Sequence, residues 1–443
     1  MVPFRFLQCG DLHLGAPFQY ISCPGSIVPQ AVREATFDAL NTIVAIAIAE
    51  EVQFVIITGD VYNSEDHNLE AQIRFVRAME VLHDRNIDVY MVQGNHDPAE
   101  SWQAQLTLPP NVHVFSHEGP AARFPLMVKG QEMGGIYGVS CGCGNERTNF
   151  TSQYHRDEID QLSLALMHGS VGMSDQGDMT IGPCSLNDLV EVGMDYWAVG
   201  HIHKRQILQE KPCVVYAGNT QGLHRKETGP KGCYVVTVNG AGLCEFEFHE
   251  TGAIRFEEAH IDITGLTKEA EVLEMIRHKK ELIRKQTDRP VLLHLVLEGR
   301  GFLYDMCCQD DVRHLWLKDV QAPEAQRITF VMPYTIVDET MPELDLDGRR
   351  ALKDMVGDYL AAYDKVEGIR FDEQGVRIGS QVALDGDYEG LIASQLRSVI
   401  EDRTEFKRLG RYGARITDEM IFRAWRRAEA EGAMKLLGDR HED

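Results

Sequence analysis

Phe54-Val55-Ile56-Ile57-Thr58-Gly59-Asp60 sets four consecutive apolar residues and a threonine before a glycine and an aspartate. An unbroken apolar run of this length reads as a strand buried on both faces, as in a parallel sheet covered by helices. The glycine permits a tight turn straight after it. That leaves the carboxylate at the strand's carboxyl end, where α/β proteins place their ligands. Working outward, residues 4–9, 89–93, 135–140, 163–168, 196–200 and 233–238 have the same texture and are predicted strands. Between the early ones, residues 29–50 and 68–85 carry apolar side chains near a 3.6-residue period and are predicted helices. Apolar runs alternating with helical segments predict an α/β fold over the first 258 residues.

With 443 residues, the chain has room for two or three domains. Hydrophobic residues make up 44% and charged residues 25%, which excludes a disordered or collagenous chain. The longest apolar candidate, residues 43–49, is far too short for a membrane span, so a soluble protein without membrane contact is expected. The start Met1-Val2-Pro3-Phe4 runs directly into a strand without a secretory pattern, which sets the expectation of a cytoplasmic protein. Ten cysteines, among them Cys141-x-Cys143 and Cys307-Cys308, form neither a disulfide framework nor paired zinc knuckles and are expected to be reduced thiols. The net charge of −24 repels polyphosphates and argues against a freestanding nonspecific nucleic-acid binder. Any such role needs local positive charge from bound metals, a basic loop or a partner.

Five short patches put metal-type ligands at predicted strand ends. Asp11-Leu12-His13 follows the first strand; a carboxylate and an imidazole two residues apart can grip one ion. Gly59-Asp60 follows the second, and an aspartate there can bridge two cations through its two oxygens. Gly94-Asn95-His96-Asp97 follows the third: Asn95 offers a neutral oxygen, His96 a proton donor, and Asp97 a carboxylate expected to orient the imidazole. His168 and the Gly200-His201-Ile202-His203 stretch end the last two. Asp11, His13, Asp60, Asn95, His168, His201 and His203 make a mixed nitrogen and oxygen set suited to Mn²⁺, Fe²⁺ or Zn²⁺, and seven ligands imply two metals. Each patch alone is weak. Five at the ends of strands that one fold can bring together are not.

After residue 258 the texture changes. Residues 267–283 read as a charged amphipathic helix capped by Thr267, then come a strand at 291–297, a helix at 310–320 and a strand at 328–337. This unit, 259–340, is expected to be a small, separate α+β cap domain. A Pro/Asp/Glu-rich linker at 338–348 leads into a helical C-terminal segment, 341–443, with a helix near 352–363. Two basic stretches stand out. Leu223-His224-Arg225-Lys226 with Lys204, Arg205 and Lys231 lies close to the motifs, and Arg225, Lys226 and Lys231 are candidate nucleic-acid contacts. Strong turn chemistry at 228–232 equally suits a solvated turn. Arg403, Lys407, Arg408, Arg411 and Arg415 are interleaved with acids and suit a solvated or partner-facing helix.

On these residues the chain resembles the calcineurin-like metallophosphoesterase superfamily, whose D-x-H, G-D, G-N-H-[DE], H and G-H-x-H motifs are present in order over about 250 residues. Within it, Leu166–Gly172, Tyr196–Lys204, Gly218–Gly222 and Glu227–Gly232 are similar to the SbcD/YhaO group of DNA repair exonucleases. The resemblance implies a two-sheet sandwich flanked by helices, with a pair of ions, usually Mn²⁺, at one edge. It implies that Asp11, His13, Asp60 and His203 hold one ion, and that Asp60 bridges to a second held by Asn95, His168 and His201. It further implies a cap domain, a C-terminal segment docking on an SMC-like coiled-coil ATPase of the SbcC/YhaN type, and dimerisation. One position departs: the family's archaeal and eukaryotic members carry a histidine three residues after the G-D aspartate, where this chain has Asn63. That histidine is tied to strand handling, so strand polarity does not carry over, whereas the metals are expected not to depend on it.

The expected activity is hydrolysis of DNA phosphodiesters, exonucleolytic or endonucleolytic, by a two-metal mechanism, with His96 and Asp97 as the acid unit. The alternative is a phosphodiesterase acting on small-molecule or cyclic-nucleotide substrates through the same centre, which would leave the C-terminal residues without an obvious purpose. Protein phosphatases of the superfamily carry G-N-H-E and an arginine soon after G-D; here Asp97 and Val61-Tyr62-Asn63 stand instead. A silent scaffold is disfavoured because every expected ligand is present.

Overall fold

The computed structural model describes residues 2–18, 23, 25–101, 106–144, 147–172, 181–242, 244–343, 346–350, 355–367, 369–371, 377–380, 393, 396–397, 401 and 416–437. The basic stretch at 403–415 and much of the C-terminal segment lie outside them.

The Phe54 run is strand β2 (Phe54–Thr58), and all five of its residues are buried. It pairs in parallel with β1 (Phe4–Cys9) on one side and β3 (Asp88–Val92) on the other. Beyond β3 lies the edge strand β4 (Val112–Val114), and beyond β1 come the antiparallel strands Gly232–Val238 and Cys244–Glu250, the latter at the other edge. A second six-stranded sheet holds β5 (Ala122–Val128), β6 (Gln131–Gly138), β7 (Leu162–His168), β8 (Tyr196–Gly200), β9 (Gln206–Glu210) and β10 (Cys213–Tyr216). Its order is β5-β6-β7-β8-β10-β9.

Why the strands read as continuous apolar runs follows from the two sheets' faces. Alternate side chains point opposite ways. Phe6, Phe54, Ile56, Tyr90 and Val92 face the space between the sheets and meet Leu164, Leu166, Tyr196, Ala198 and Val215 of the second sheet. Their neighbours Leu7, Cys9, Val55, Ile57, Val89 and Met91 face outward. That outer face is covered by α1 (Val28–Ala49) and α2 (Leu69–His83) through Leu40, Ile43, Phe75, Met79 and Leu82. On the other side, Ala165, Met167, Trp197, Val199 and Tyr216 pack under α3 (Leu186–Val192) and Phe150. The buried Gln8 is satisfied across the sandwich, donating to the Val215 carbonyl at 2.9 Å and accepting from the Tyr196 hydroxyl.

The expected two-sheet sandwich with flanking helices is therefore present. Within the sandwich, five strands went unpredicted: β4, β5, β9, β10 and Cys244–Glu250. They are short, edge or antiparallel strands, such as the alternating Cys244-Glu-Phe-Glu-Phe-His-Glu250 or Pro125-containing β5, and a search for long buried runs passes over them.

The rest of the chain adds a three-stranded sheet of Arg255–Asp262, Val291–Glu298 and Val331–Asp338, with helices Glu269–Gln286 and Asp310–Gln321. The first of these helices begins two residues after Thr267; its lead-in amides, Thr267 and Lys268, donate to the Glu271 carboxylate rather than relying on a threonine cap. Two compact units result. One comprises Met1–Glu258, Lys280–His294 and Asp319–Thr335, the other Ala259–Lys279, Leu295–Lys318 and Ile336–Asp443. In the second, helices Met355–Glu367 and Asp418–Leu437 pack through Val356, Leu360, Ala430 and Ala433. All ten cysteines are free thiols, seven of them buried. Among the described residues no helix is long and apolar enough to cross a membrane.

Candidate metal centre

Because β1, β2 and β3 run parallel, as do β6, β7 and β8, their carboxyl ends lie at matching edges of the two sheets. The five ligand-bearing patches are the segments that leave those ends. They are laced together by the backbone: Asp11 N–H donates to the Gly59 carbonyl at 3.0 Å, His13 N–H to the Asp60 carbonyl at 3.0 Å, and Leu14 N–H to the Val61 carbonyl at 2.9 Å. The Asp11 carboxylate accepts the His201 N–H at 3.0 Å, and Asp60 Oδ1 accepts the His96 N–H at 2.9 Å. Packing is tight enough to dictate glycine: a Cβ on Gly94 would stand 2.2 Å from Asp60 Oδ1, and one on Gly59 would stand 2.7 Å from the His168 ring nitrogen.

Strain marks the same residues. Asp11, His13, Asp60 and His201 have φ of 48°, 42°, 51° and 94°, the left-handed region that non-glycine residues seldom occupy. Asp11 and His13 therefore reach the centre from a turn. Such conformations cluster where a site over-determines its backbone.

The side chains converge as the sequence predicts. His13 Nε2 and His203 Nε2 lie 3.1 Å apart. His168 Nε2 lies 2.9 Å from Asn95 Oδ1. Asp60 Oδ2 stands between the two groups, 3.8 Å from His13 Nε2 and 3.4 Å from His168 Nε2. Two sets fall within metal-ligating range, Asp11 with His13 and His203, and Asp11 with Asp60 and His168. The His201 ring lies edge-on to His168 with centroids 5.4 Å apart.

The tautomers supply a test of whether metals fit. His13 Nδ1 is 2.9 Å from Asn63 Oδ1, His168 Nδ1 is 2.8 Å from the Thr58 carbonyl, and His203 Nδ1 bonds the Glu227 carboxylate. Each partner is an acceptor, so each Nδ1 carries a proton, and a ring that gives up its other proton presents Nε2 as a lone pair. Two such nitrogens at 3.1 Å repel unless a proton or a metal ion lies between them. Nitrogens about 2.1 Å from one ion and at right angles are about 3 Å apart. The donor set fits two bound cations.

Electrostatics agree. Asp11, Asp60 and Asp97 are each at most 2% exposed, and buried carboxylates need compensation. Burial alone would raise the Asp60 carboxyl and lower the His168 imidazole. Their mutual attraction outweighs both effects, so Asp60 sits well below the ordinary carboxylate range and His168 rises to about 9. His201 falls to about 4 through burial and the neighbouring His168 charge.

One expectation needs correction. Asp97 does not orient the His96 imidazole. Its buried carboxylate accepts the backbone N–H groups of Gly94 at 2.7 Å, Val61 at 2.8 Å and Asp60 at 3.1 Å, so it clamps the two loops that carry Asp60 and Asn95. The His96 side chain instead points to the surface, exposed, with its ring edge-on to His13 at 5.1 Å. At the departing position, Asn63 holds the His13 ring and is itself held by Asp66 at 3.0 Å. Asn63, Thr58 and Glu227, the partners that fix three of these imidazoles, are what the motif reading missed. Glu227 stands in a quoted segment, yet nothing in the local sequence pairs it with His203. Arg225 and Lys226 are exposed on a turn closed by the Glu227 N–H to the His224 carbonyl, and Lys231 is half-buried.

Residues 4–205 match the calcineurin-like phosphoesterase family, and residues 256–340 match the middle domain of metallophosphoesterase YhaO. The chain is 33% identical over 347 residues to a Bacillus subtilis (strain 168) protein named uncharacterized metallophosphoesterase YhaO, covering 78% of this chain and 84% of the relative. It is 28% identical over 195 residues to the DNA double-strand break repair protein Mre11 of Thermoplasma acidophilum, covering 42% of this chain and 50% of the relative. The Mre11 protein of Sulfurisphaera tokodaii is 23% identical over 386 residues, covering 82% and 90%. With its seven candidate ligands gathered at one edge of a two-sheet sandwich, the chain belongs to the calcineurin-like metallophosphoesterases, in the branch that carries the YhaO-type middle domain.

Proposed function

We propose that this metallophosphoesterase is a Mn²⁺-dependent DNA nuclease, exonucleolytic or endonucleolytic, working in DNA repair in the cytoplasm with an SMC-like coiled-coil ATPase of the SbcC/YhaN type. The observation that carries the proposal is the pair of ligand groups joined through Asp60 Oδ2. The printed names of the Mre11 relatives support DNA as the substrate. In this reading Asp11, His13, Asp60 and His203 hold one ion, and Asp60, Asn95, His168 and His201 the other. Two such ions supply Lewis acidity against the phosphodiester's charge and an activated water near neutral pH.

The chain's own residues do the rest. Asn63, the Thr58 carbonyl and Glu227 fix three imidazoles with Nε2 inward. Asp97 sets the loop that aims Asp60. His96, beside His13 and open to the surface, is placed to give a proton to the departing sugar oxygen. Residues 1–258 form the catalytic domain, 259–340 a DNA-binding cap and 341–443 the partner-binding segment; the match of residues 256–340 to the YhaO middle domain supports the second boundary. Arg225, Lys226 and Lys231 contact the DNA backbone.

The experiment is hydrolysis by the purified chain with Mn²⁺ of linear duplex DNA, single-stranded DNA, cyclic nucleotides and bis(p-nitrophenyl) phosphate. Turnover of DNA is expected. Turnover of the small esters alone would replace the nuclease reading with a small-molecule phosphodiesterase.

A further inference from the structure

Two cations follow the last metal ligand in sequence. Lys204 and Arg205, both exposed, line a cavity of about 220 Å³ together with His203, Lys231 and Phe248. Lys231 comes from the segment before strand Gly232–Val238, and its ammonium donates to the His203 carbonyl at 3.3 Å. One of the cations is thereby tied to the backbone of a metal ligand. The Arg205 guanidinium lies over the Phe248 ring, 3.5 Å from its centroid. This cation–π contact holds the guanidinium in place while its N–H donors stay available for an oxyanion.

None of these three cations has a carboxylate within ion-pair distance among the described residues, in a chain with 68 acidic side chains against 44 basic ones. Glu227, the nearby acid, is engaged by the His203 ring and by the Leu223 N–H at 2.7 Å, and does not line the cavity. Burial lowers the Lys231 ammonium below its ordinary value, and the attraction of Glu227 offsets this only in part. Three unpaired cations around one cavity repel each other, and an anion held among them relieves that repulsion.

We propose that this cavity is a subsite for a second phosphate of the nucleic-acid strand, a phosphodiester flanking the one at the metal centre, bound by Arg205, Lys204 and Lys231. It rests on the nuclease reading and deepens it: a strand reaches both places, whereas a single small ester occupies only one. The subsite gives the enzyme a preference for a polynucleotide over an isolated diester.

The test is binding of the full chain, with Mn²⁺, to a labelled 20-nucleotide single strand carrying phosphorothioate linkages, followed by fluorescence anisotropy across a salt series. Arg205→Gln and Lys231→Met are compared with Arg85→Gln, which makes the same charge change as Arg205→Gln just after helix α2, away from the ligand loops. Each lost phosphate contact lowers the slope of log affinity against log salt by about 0.7 for a single strand. That drop is expected for Arg205→Gln and Lys231→Met and not for Arg85→Gln, with Arg205→Lys restoring much of the slope. If wild type binds the strand and the cavity variants keep the slope of Arg85→Gln, the subsite is overturned while the nuclease reading stands. If wild type hydrolyses bis(p-nitrophenyl) phosphate yet shows no salt-dependent strand binding, both the DNA reading and the subsite fall.

Discussion

Replacing Asp97 with asparagine separates a loop-clamping role from an acid-orienting one. In the native protein Oδ1 accepts the Gly94 and Asp60 amides and Oδ2 accepts the Val61 amide, all from a side chain that is 1% exposed. In the variant one oxygen becomes an NH₂ group. With the carbonyl kept toward Gly94 and Asp60, the Val61 N–H faces a donor, and a bond to a charged acceptor worth about 1.5–3 kcal/mol is lost. The remaining two weaken because their acceptor is neutral. Against this, an amide is easier to bury than a carboxylate whose pKa burial and Asp60 push up to about 7. The net expectation is a loss of about 2 kcal/mol in unfolding free energy. The Asp60 amide is one of the three donors, so the bridging ligand also loosens and Mn²⁺ affinity falls by about 10–100-fold. Urea unfolding and calorimetric Mn²⁺ titration read the two effects. An Asp97→Asn protein with native stability and native affinity for both ions, whose turnover falls as far as that of His96→Ala, would refute the clamp and return Asp97 to the imidazole.

Three other substitutions probe two of the remaining site contacts and one buried ion cluster elsewhere. His96→Ala removes an exposed ring that ligates nothing, so metal stoichiometry should be unchanged while kcat falls by about 10²–10⁴-fold; loss of an ion in this variant would make His96 a ligand instead. Glu227→Ala frees the His203 ring and should weaken Mn²⁺ binding by about tenfold or more, measured by titration rather than turnover; unchanged affinity would show that the His203 tautomer needs no fixing. Away from the metals, Glu324 is buried against Lys280 at 3.0 Å and Arg284 at 2.8 Å. Burial would raise its carboxyl, but the Val331 amide, Lys280 and Arg284 outweigh this and hold it below the ordinary 4.5. A depressed folded pKa contributes stability that is complete above about 4.5 and lost as pH falls through the lowered value. Glu324→Gln should therefore cost about 3–5 kcal/mol at neutral pH and flatten the acid limb of the unfolding midpoint, and an unchanged acid limb would count against the ion triad.

All seven predicted ligands converge because each belongs to a short local pattern, an apolar strand followed at once by Asp, Asn or His. Parallel strand order then carries them to one edge, as at Thr58-Gly59-Asp60 and Gly200-His201. What surrounds them was less legible. Asn63 meets His13 across 50 residues and Thr58 meets His168 across 110, and no spacing in one chain announces either pairing. Asp97 misled for a local reason: adjacency to His96 suggested a pair, but a turning backbone sends the two side chains apart, one into amides and one to the surface. The unpredicted strands follow the same division. A strand buried on both faces is written as an unbroken run, whereas Cys244–Glu250 is written as an alternation that resembles an exposed segment.

Anomalous diffraction from crystals soaked in Mn²⁺ puts the two-ion centre to the most direct test. Two peaks are expected, one among Asp11, His13 and His203 and one among Asn95, His168 and His201, both touching Asp60. A single peak, or Mn²⁺ bound elsewhere with these side chains still hydrogen-bonded to one another, would contradict it.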